Sequence, residues 1–292
     1  MPSKNYKGII LAGGNGTRLY PSSLTVSKQL MNVYDKPLIY YPLSTLMLAD
    51  IREILIITTS ESIDQFKNLL GDGSKWGVEF QYEIQENPNG LAEAFIIGEK
   101  FIGDDNVCLV LGDNILYGNS LKSILLSCKK SQGGTIFSYP VTDPHRFGII
   151  ESEGDKIISI VENPKEPKSN RAVIGIYFFD NKVIEYAKNV KPSWRNELEI
   201  SCIQNSYLKN GTLRVENLNR GVTWIDAGTC DSLLMASNFI STVEKMQTYK
   251  ISCPEEIAFK NGWINKKQLK NLAKPLEKSG YGQYLNRVVE SL

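Results

Sequence analysis

The order of apolar segments predicts an α/β fold, with a parallel sheet covered by helices on both faces. Three observations carry that expectation. Short β-branched runs alternate with longer segments of helical spacing through the first half of the 292-residue chain. The first of these runs ends at a cluster of glycines, where strands of open α/β sheets hand over to ligand-binding turns. The composition, 42% hydrophobic and 22% charged, is that of a folded domain and excludes wholesale disorder. A chain of this length buries roughly 75% of its unfolded surface and needs no staples.

The elements follow in order. Residues 7–12 read as a buried strand ending at glycines, and 38–49 as a helix rich in Leu and Met. Glu53–Thr58 is a second buried strand, Ile63–Leu70 a short helix, and Glu79–Ile84 a strand with one wetter face. Residues 91–101 carry apolar side chains at helical spacing, and 107–111 form another buried strand stopped by Gly112. This β-then-α order implies parallel pairing. The middle differs: 135–139, 148–151, Lys156–Glu162 and 172–179 are strand-like, with a Pro- and Lys-bearing loop over 163–170. The chain reads as mostly helical from Asp231 onward, without repeats or low-complexity stretches. The expectation is an α/β core over residues 1–230 containing a strand-rich insertion, then a helical C-terminal appendage over 231–292.

Charge and cysteine usage exclude several function classes. Lys and Arg number 33 against 32 Asp and Glu, a net charge of +1, so there is no general pull toward nucleic acid or anionic lipid. The five cysteines, Cys108, Cys128, Cys202, Cys230 and Cys253, include no CxxC pair and read as the reduced thiols of a cytoplasmic protein. His145 is the only imidazole, which disfavours a common zinc site and leaves few Ser-His-Asp or Cys-His schemes. The first apolar run, 9–12, is too short for a signal-peptide core, and no stretch of 18 apolar residues would span a membrane.

The sharpest feature is Leu11-Ala12-Gly13-Gly14-Asn15-Gly16-Thr17-Arg18, directly after the first strand. Three glycines within four residues let backbone N–H groups approach an anion. The Walker A pattern is absent, and the dinucleotide pattern fails because position 19 is Leu. What remains is a phosphate cradle with Arg18 at its exit and Lys28 ten residues later.

With the residues that follow, the chain resembles the bacterial glucose-1-phosphate thymidylyltransferases. The likeness runs through 13–18, Leu19-Tyr20-Pro21, Ser27-Lys28-Gln29-Leu30, Tyr34-Asp35-Lys36-Pro37 and Ile39-Tyr40-Tyr41-Pro42. It continues at Leu69-Leu70-Gly71-Asp72-Gly73, Val110-Leu111-Gly112-Asp113-Asn114, Glu197-Leu198-Glu199-Ile200 and 252–259, covering nearly the whole chain. The resemblance implies a three-layer αβα, Rossmann-like mixed sheet of the nucleotide-diphospho-sugar transferase kind. It also implies transfer of a thymidylyl group from dTTP to α-D-glucose 1-phosphate with release of pyrophosphate, the first step toward dTDP-rhamnose or a related deoxysugar. Such a transfer needs in-line positioning and charge compensation more than covalent help.

The same resemblance implies the roles. Arg18 clamps the triphosphate and Lys28 reaches phosphate near the α position. Leu11, Gly13, Gly14, Gly16 and Thr17 cradle the nucleotide; Gln85 and Gly90 recognise the base, with Pro88 near its C5 position. A Gln amide both donates and accepts, which suits a pyrimidine edge. An isolated Asp after a strand is ordinarily a turn or cap residue; here Asp113 becomes a Mg²⁺ ligand together with Asp226. Spacing by itself does not pair these two, but two carboxylates suit Mg²⁺, which keeps waters and phosphate oxygens. Asn114, Gly148, Glu162, Asn163, Val173, Tyr177 and Arg195 would hold the sugar phosphate. A homotetramer with feedback inhibition by a dTDP-sugar is also implied.

Some positions depart from the family pattern. Glu162-Asn163-Pro164 stands where the family reads Glu-Lys-Pro, and that lysine is expected at the sugar's phosphate. Loss of one charge-compensating donor costs roughly 3 kcal/mol, about a hundredfold in rate. Arg171 or Lys165 is expected to restore the charge. Asn32, Ile174, Ala227 and Cys202 replace a usual Pro, Thr, Thr and Asp, and Ile174 is placed with Asn163 on the sugar side. The sequence therefore leaves open the same chemistry on another sugar 1-phosphate, or a catalytically weak homologue that binds nucleotide-sugars for regulation. A metal-dependent glycosyltransferase is disfavoured by the absence of an Asp-x-Asp motif, since Asp104 and Asp105 are adjacent.

Overall fold

A computed structural model describes residues 5–290 apart from Asn15 and Asp155, so Asn15 of the glycine loop lies outside the described residues. The first half runs β1 (Tyr6–Leu11), β2 (Asn32–Val33), β3 (Lys36–Pro37), α1 (Tyr40–Leu48), β4 (Glu53–Thr58), α2 (Ile63–Leu70), β5 (Glu79–Ile84), α3 (Glu93–Ile97), α4 (Glu99–Ile102) and β6 (Asn106–Leu111). The middle holds β7 (Asn114–Gly118), α5 (Leu121–Cys128), β8 (Gly134–Pro140), β9 (Gly148–Glu153), β10 (Lys156–Glu162), β11 (Arg171–Phe179), α6 (Val183–Lys188), α7 (Ile200–Lys209), β12 (Leu213–Asn217) and β13 (Val222–Asp226). Four helices end the chain: α8 (Cys230–Gln247), α9 (Pro254–Lys260), α10 (Lys266–Ala273) and α11 (Gly280–Glu290).

The central sheet is mixed and runs β10-β9-β11-β6-β1-β4-β5, with β8 joined to β11 and β12 to β8. Its first-half strands pair in parallel, β1 between β4 and β6, and β4 beside β5. The strand-rich middle turns antiparallel at β11, which pairs with β6 and β8. Parallel strands buried on both faces need near-continuous apolar runs, and β1 provides one over Ile9, Ile10 and Leu11. Ile10 enters one apolar cluster with Leu43, Phe66 and Trp76, while Ile9 and Leu11 enter a second with Phe95 and Tyr207. The result is a three-layer αβα architecture with a mixed sheet, as the family resemblance implies.

The differences from the sequence expectation are local. The single helix over 91–101 is two short helices that break at Gly98, where a Cβ would come within 2.9 Å of Ile9 Cδ1. Close approach to the sheet at that glycine outweighs helical spacing. Strands β7, β12 and β13 and helices α5, α6 and α7 were not anticipated. The ladder of β7 with β13 is antiparallel and sets Asp226 opposite Asn114. The last helices bury Cys253, Ala258, Leu269, Tyr281 and Leu285 in the same apolar cluster as Ile10 and Trp76. Helix α8 starts at a reciprocal cap between Thr229 and Ser232. Among the described residues no helix is long and apolar enough to cross a membrane.

Candidate active site

The C-terminal ends of β1, β5 and β6 open onto one cleft, the usual ligand position in an open α/β sheet. It has two halves that share Leu91, Leu111, Asp113 and Glu197 in their walls.

The first half, about 180 Å³, is lined by Leu11, Gly13, Gly14, Lys28, Gln29, Gln85, Pro88, Gly90 and Asp113. Its geometry explains two glycines. A Cβ on Gly13 would meet Gln85 Oε1 at 2.7 Å. Gly90 has φ +111°, and its Cβ would lie 2.5 Å from the Leu198 backbone. The Gln85 amide is oriented by Glu93, whose Oε2 accepts from Nε2 at 2.7 Å while its Oε1 accepts from Asn89 Nδ2 at 2.8 Å. Oε1 of Gln85 is thereby turned toward Gly13 as a ready acceptor. Glu93 is not singled out by the sequence; it carries no motif, and only its position three residues past Gly90 hints at a role. Gly16 and Thr17 line neither half; Gly16 takes a left-handed conformation, and Ser23 Oγ donates to its carbonyl at 2.6 Å.

At the junction, Lys28 Nζ lies 2.5 Å from Asp113 Oδ2. Asn114 Nδ2 donates to Asp113 Oδ1 at 2.9 Å, and its own Oδ1 accepts from Gly175 N at 3.0 Å and Trp224 Nε1 at 2.6 Å. Burial opposes ionisation of Asp113, but the Lys28 charge and these hydrogen bonds hold its carboxyl below the ordinary range. Asp226 is brought alongside by the β7–β13 ladder, with Ala227 N donating to Asp113 O at 3.0 Å. Burial, and then the Asp113 charge, push Asp226 up to about 6. Two carboxylates crowded in this way suit a divalent cation, which would relieve their repulsion. No group of three or more potential metal ligands occurs among the described residues, so other coordination positions would fall to phosphate oxygens and water.

The second half, about 240 Å³, is walled by Arg18, Asp113, Asn114, Arg146, Gly148, Glu162, Asn163, Val173, Tyr177, Arg195, Trp224 and Asp226, with Glu197, Glu199 and Gln204. Arg195 is engaged by carboxylates: Nε and Nη2 donate to Glu199 at 3.0 and 2.7 Å, and Nη2 pairs with Glu197 at 3.2 Å. These partners raise its already high pKa, the Glu199 hydrogen bonds most. Burial, and then Glu199, push Glu162 up to about 7. Asn163 sits at φ +45°, a region Asn tolerates, and its N–H donates to Phe147 O at 3.1 Å.

Two expectations are corrected. Arg171 does not reach the cleft, because its guanidinium donates to Ser138 Oγ and Asn217 Oδ1; Lys165 is exposed outside it. The additional cation in the wall is Arg146, 3.5 Å from Asp226 Oδ2 and against the Phe147 ring. Only its place two residues before Gly148 could have suggested it. Ile174 faces the apolar core rather than the sugar side, because Val173, Gly175 and Tyr177 share the cleft face of β11 and position 174 points oppositely.

A family model described as nucleotidyl transferase matches residues 7–243. The glucose-1-phosphate thymidylyltransferase of Neisseria gonorrhoeae is 55% identical over 97% of this chain and 99% of its own length. That of Mycobacterium tuberculosis strain H37Rv is 51% identical, with the same two coverages. A Bacillus anthracis structure, provisionally assigned as a glucose-1-phosphate thymidylyltransferase in complex with a sucrose, superposes with a TM-score of 0.75 at 42% identity, covering 80% of this chain and 95% of that one. A UDP-glucose pyrophosphorylase complexed with UDP-glucose superposes with a TM-score of 0.72 at 24% identity, covering 82% and 99%. At that identity the likeness concerns the fold alone.

Proposed function

The chain belongs to the nucleotidyl transferase family, and within it to the glucose-1-phosphate thymidylyltransferases; from that premise we propose how its cleft joins dTTP to glucose 1-phosphate. The observation that carries the reading is Asp113, which lines both halves and is paired with Lys28 where they meet. Two phosphates bound in adjoining halves come together at that carboxylate.

The nucleotide lies along the glycine turn. Its thymine N3–H donates to Gln85 Oε1, an acceptor fixed because Glu93 occupies Nε2. Cytosine, which offers an acceptor at N3, is rejected there. Backbone N–H groups at Gly13 and Gly14 face the phosphates, and Arg18 and Lys28 compensate their charge. Glu162, Tyr177, Gly148 and Val173 hold the sugar, and Arg195 and Arg146 hold its phosphate, with Asn163 adding a neutral donor. An oxygen of the sugar phosphate then attacks the α-phosphorus in line. The bond to the bridging oxygen breaks, and pyrophosphate leaves with the electron pair. Asp113 and Asp226 would hold Mg²⁺, which when bound supplies charge compensation at the phosphoryl oxygens.

The assembly reading is also ours. Exposed Leu234, Met235 and Met246 on α8 support a subunit contact, in our reading that of a homotetramer, and residues 231–292 would serve assembly and dTDP-sugar feedback around the 1–230 core. Five free thiols suit a cytoplasmic location. The testing experiment measures pyrophosphate release with Mg²⁺, crossing dTTP, UTP, CTP and ATP against glucose, galactose and N-acetylglucosamine 1-phosphates. Selective turnover of dTTP with glucose 1-phosphate is expected. Preference for another sugar would relocate the substrate, and no turnover would overturn the reading.

A further inference from the structure

Gln204 is 1% exposed on α7 and lines the second half of the cleft with Glu162, Glu199 and Tyr177. Neither Nε2 nor Oε1 has a hydrogen-bond partner. Such an amide costs stability comparable to a lost hydrogen bond for each unpaired group, and folds rarely keep one without cause. Only Ser44 Oγ and Trp76 Nε1 share that condition among the described side chains.

The neighbouring residue holds the helix against turning to relieve it. Asn205 Oδ1 accepts from Ile160 N at 3.0 Å, and Nδ2 donates to Ile160 O at 2.8 Å and to Ser201 O at 2.8 Å. This clamp ties α7 to β10 and fixes the turn of the helix, so position 204 stays on the cleft side. Its charged neighbours Glu199 and Arg195 offer one role each: Glu199 accepts from Ser193 and Arg195, and Arg195 only donates. A hydroxyl both donates and accepts, as an amide does.

We infer that Gln204 is a specificity-determining residue of the cleft, its amide reserved for a hydroxyl of the bound hexose 1-phosphate. This rests on the sugar 1-phosphate reading above. A site built to pair a substrate hydroxyl strongly rejects analogues that lack it, because its own polar group is then left buried and unpaired.

The test uses Gln204→Met, which keeps the length without the amide, with Gln204→Leu as a second apolar variant in case one fails to fold. Wild type and variants are compared in steady-state kinetics with dTTP and glucose 1-phosphate and in ligand-free thermal unfolding. The expected result is a KM for glucose 1-phosphate raised tenfold to a hundredfold, a KM for dTTP within twofold, and a melting temperature equal to or above wild type. Wild type should also discriminate against one monodeoxyglucose 1-phosphate from a 2-, 3-, 4- and 6-deoxy series, and the Met variant should lose that discrimination. A KM for glucose 1-phosphate within twofold of wild type, or a melting temperature lowered by several degrees in both variants, overturns the inference and leaves the enzyme reading intact. Absence of wild-type turnover with every hexose 1-phosphate overturns both.

Discussion

The two halves of the cleft are built on different principles. In the nucleotide half, Gln85 is held by Glu93, Glu93 by Asn89 as well, and two glycines admit backbone and side chain at contact distance. In the sugar half, Glu162, Glu197 and Glu199 crowd around Arg195, Glu162 is pushed up to about 7, and Gln204 has no partner. The first half holds its amide in place with a neighbouring carboxylate; the second keeps an amide without a partner. Preorganised dipoles reorganise little when substrate arrives, whereas unmet polar groups reserve their energy for it. On the proposed reading, nucleotide choice is carried by a rigid acceptor, and sugar choice by groups that gain partners on binding.

The largest expected effect is at the junction, where the halves act as one. Asp113→Asn removes the charge that faces Lys28, and kcat should fall about a thousandfold with either substrate saturating; steady-state pyrophosphate release measures it. Next comes Arg146, a sugar-half cation. Arg146→Ala should lower kcat/KM for glucose 1-phosphate about a hundredfold and leave the KM of dTTP nearly unchanged. A large rise in the dTTP constant would blur the division between halves.

Glu93→Leu attacks the other side. Freed from its partner, Gln85 can turn its amide, so the KM of dTTP should rise about tenfold and discrimination against CTP should weaken, with the glucose 1-phosphate constant unmoved. Competition between dTTP and CTP in one reaction reads this directly.

The pH prediction belongs to Glu162. Its folded pKa is raised above the ordinary glutamate value, so between roughly pH 4.5 and 7 the folded state binds a proton that the unfolded state has lost. Stability from this group is present below that window and falls as pH rises through it. Thermal unfolding of ligand-free Glu162→Gln should lack this decline and exceed wild type at pH 8, by on the order of 1–3 kcal/mol. The smallest effect is expected from Lys165→Ala and Arg171→Ala, which should each change the glucose 1-phosphate constant less than twofold.

How far the sequence could be read follows the same physics. β1 and its glycine turn were legible because their signal is local: a run buried on both faces, then residues that admit close approach. The ladder that sets Asp226 beside Asp113 was not, since Trp224 and Asn114, which it brings into hydrogen bonding, lie 110 residues apart. Resemblance supplied that pairing where spacing could not. Ile174 was assigned to the wrong face because strand parity changes sides with each residue. Arg146 and Glu93 went unnoticed because a charged residue in a turn or a first helical turn looks like any solvated one. Gln204 could not be found at all from sequence, because its signal is the lack of a partner in three dimensions.

The central claim is that this cleft makes a nucleotide-sugar by joining two bound phosphates directly. Phosphorus-31 NMR of the protein with Mg²⁺, dTTP and glucose 1-phosphate follows the transfer most directly. The account predicts that dTDP-glucose and pyrophosphate appear together in equal amounts, and that neither forms when glucose 1-phosphate is omitted. Pyrophosphate or phosphate released from dTTP alone, or unchanged spectra from folded protein, would contradict it.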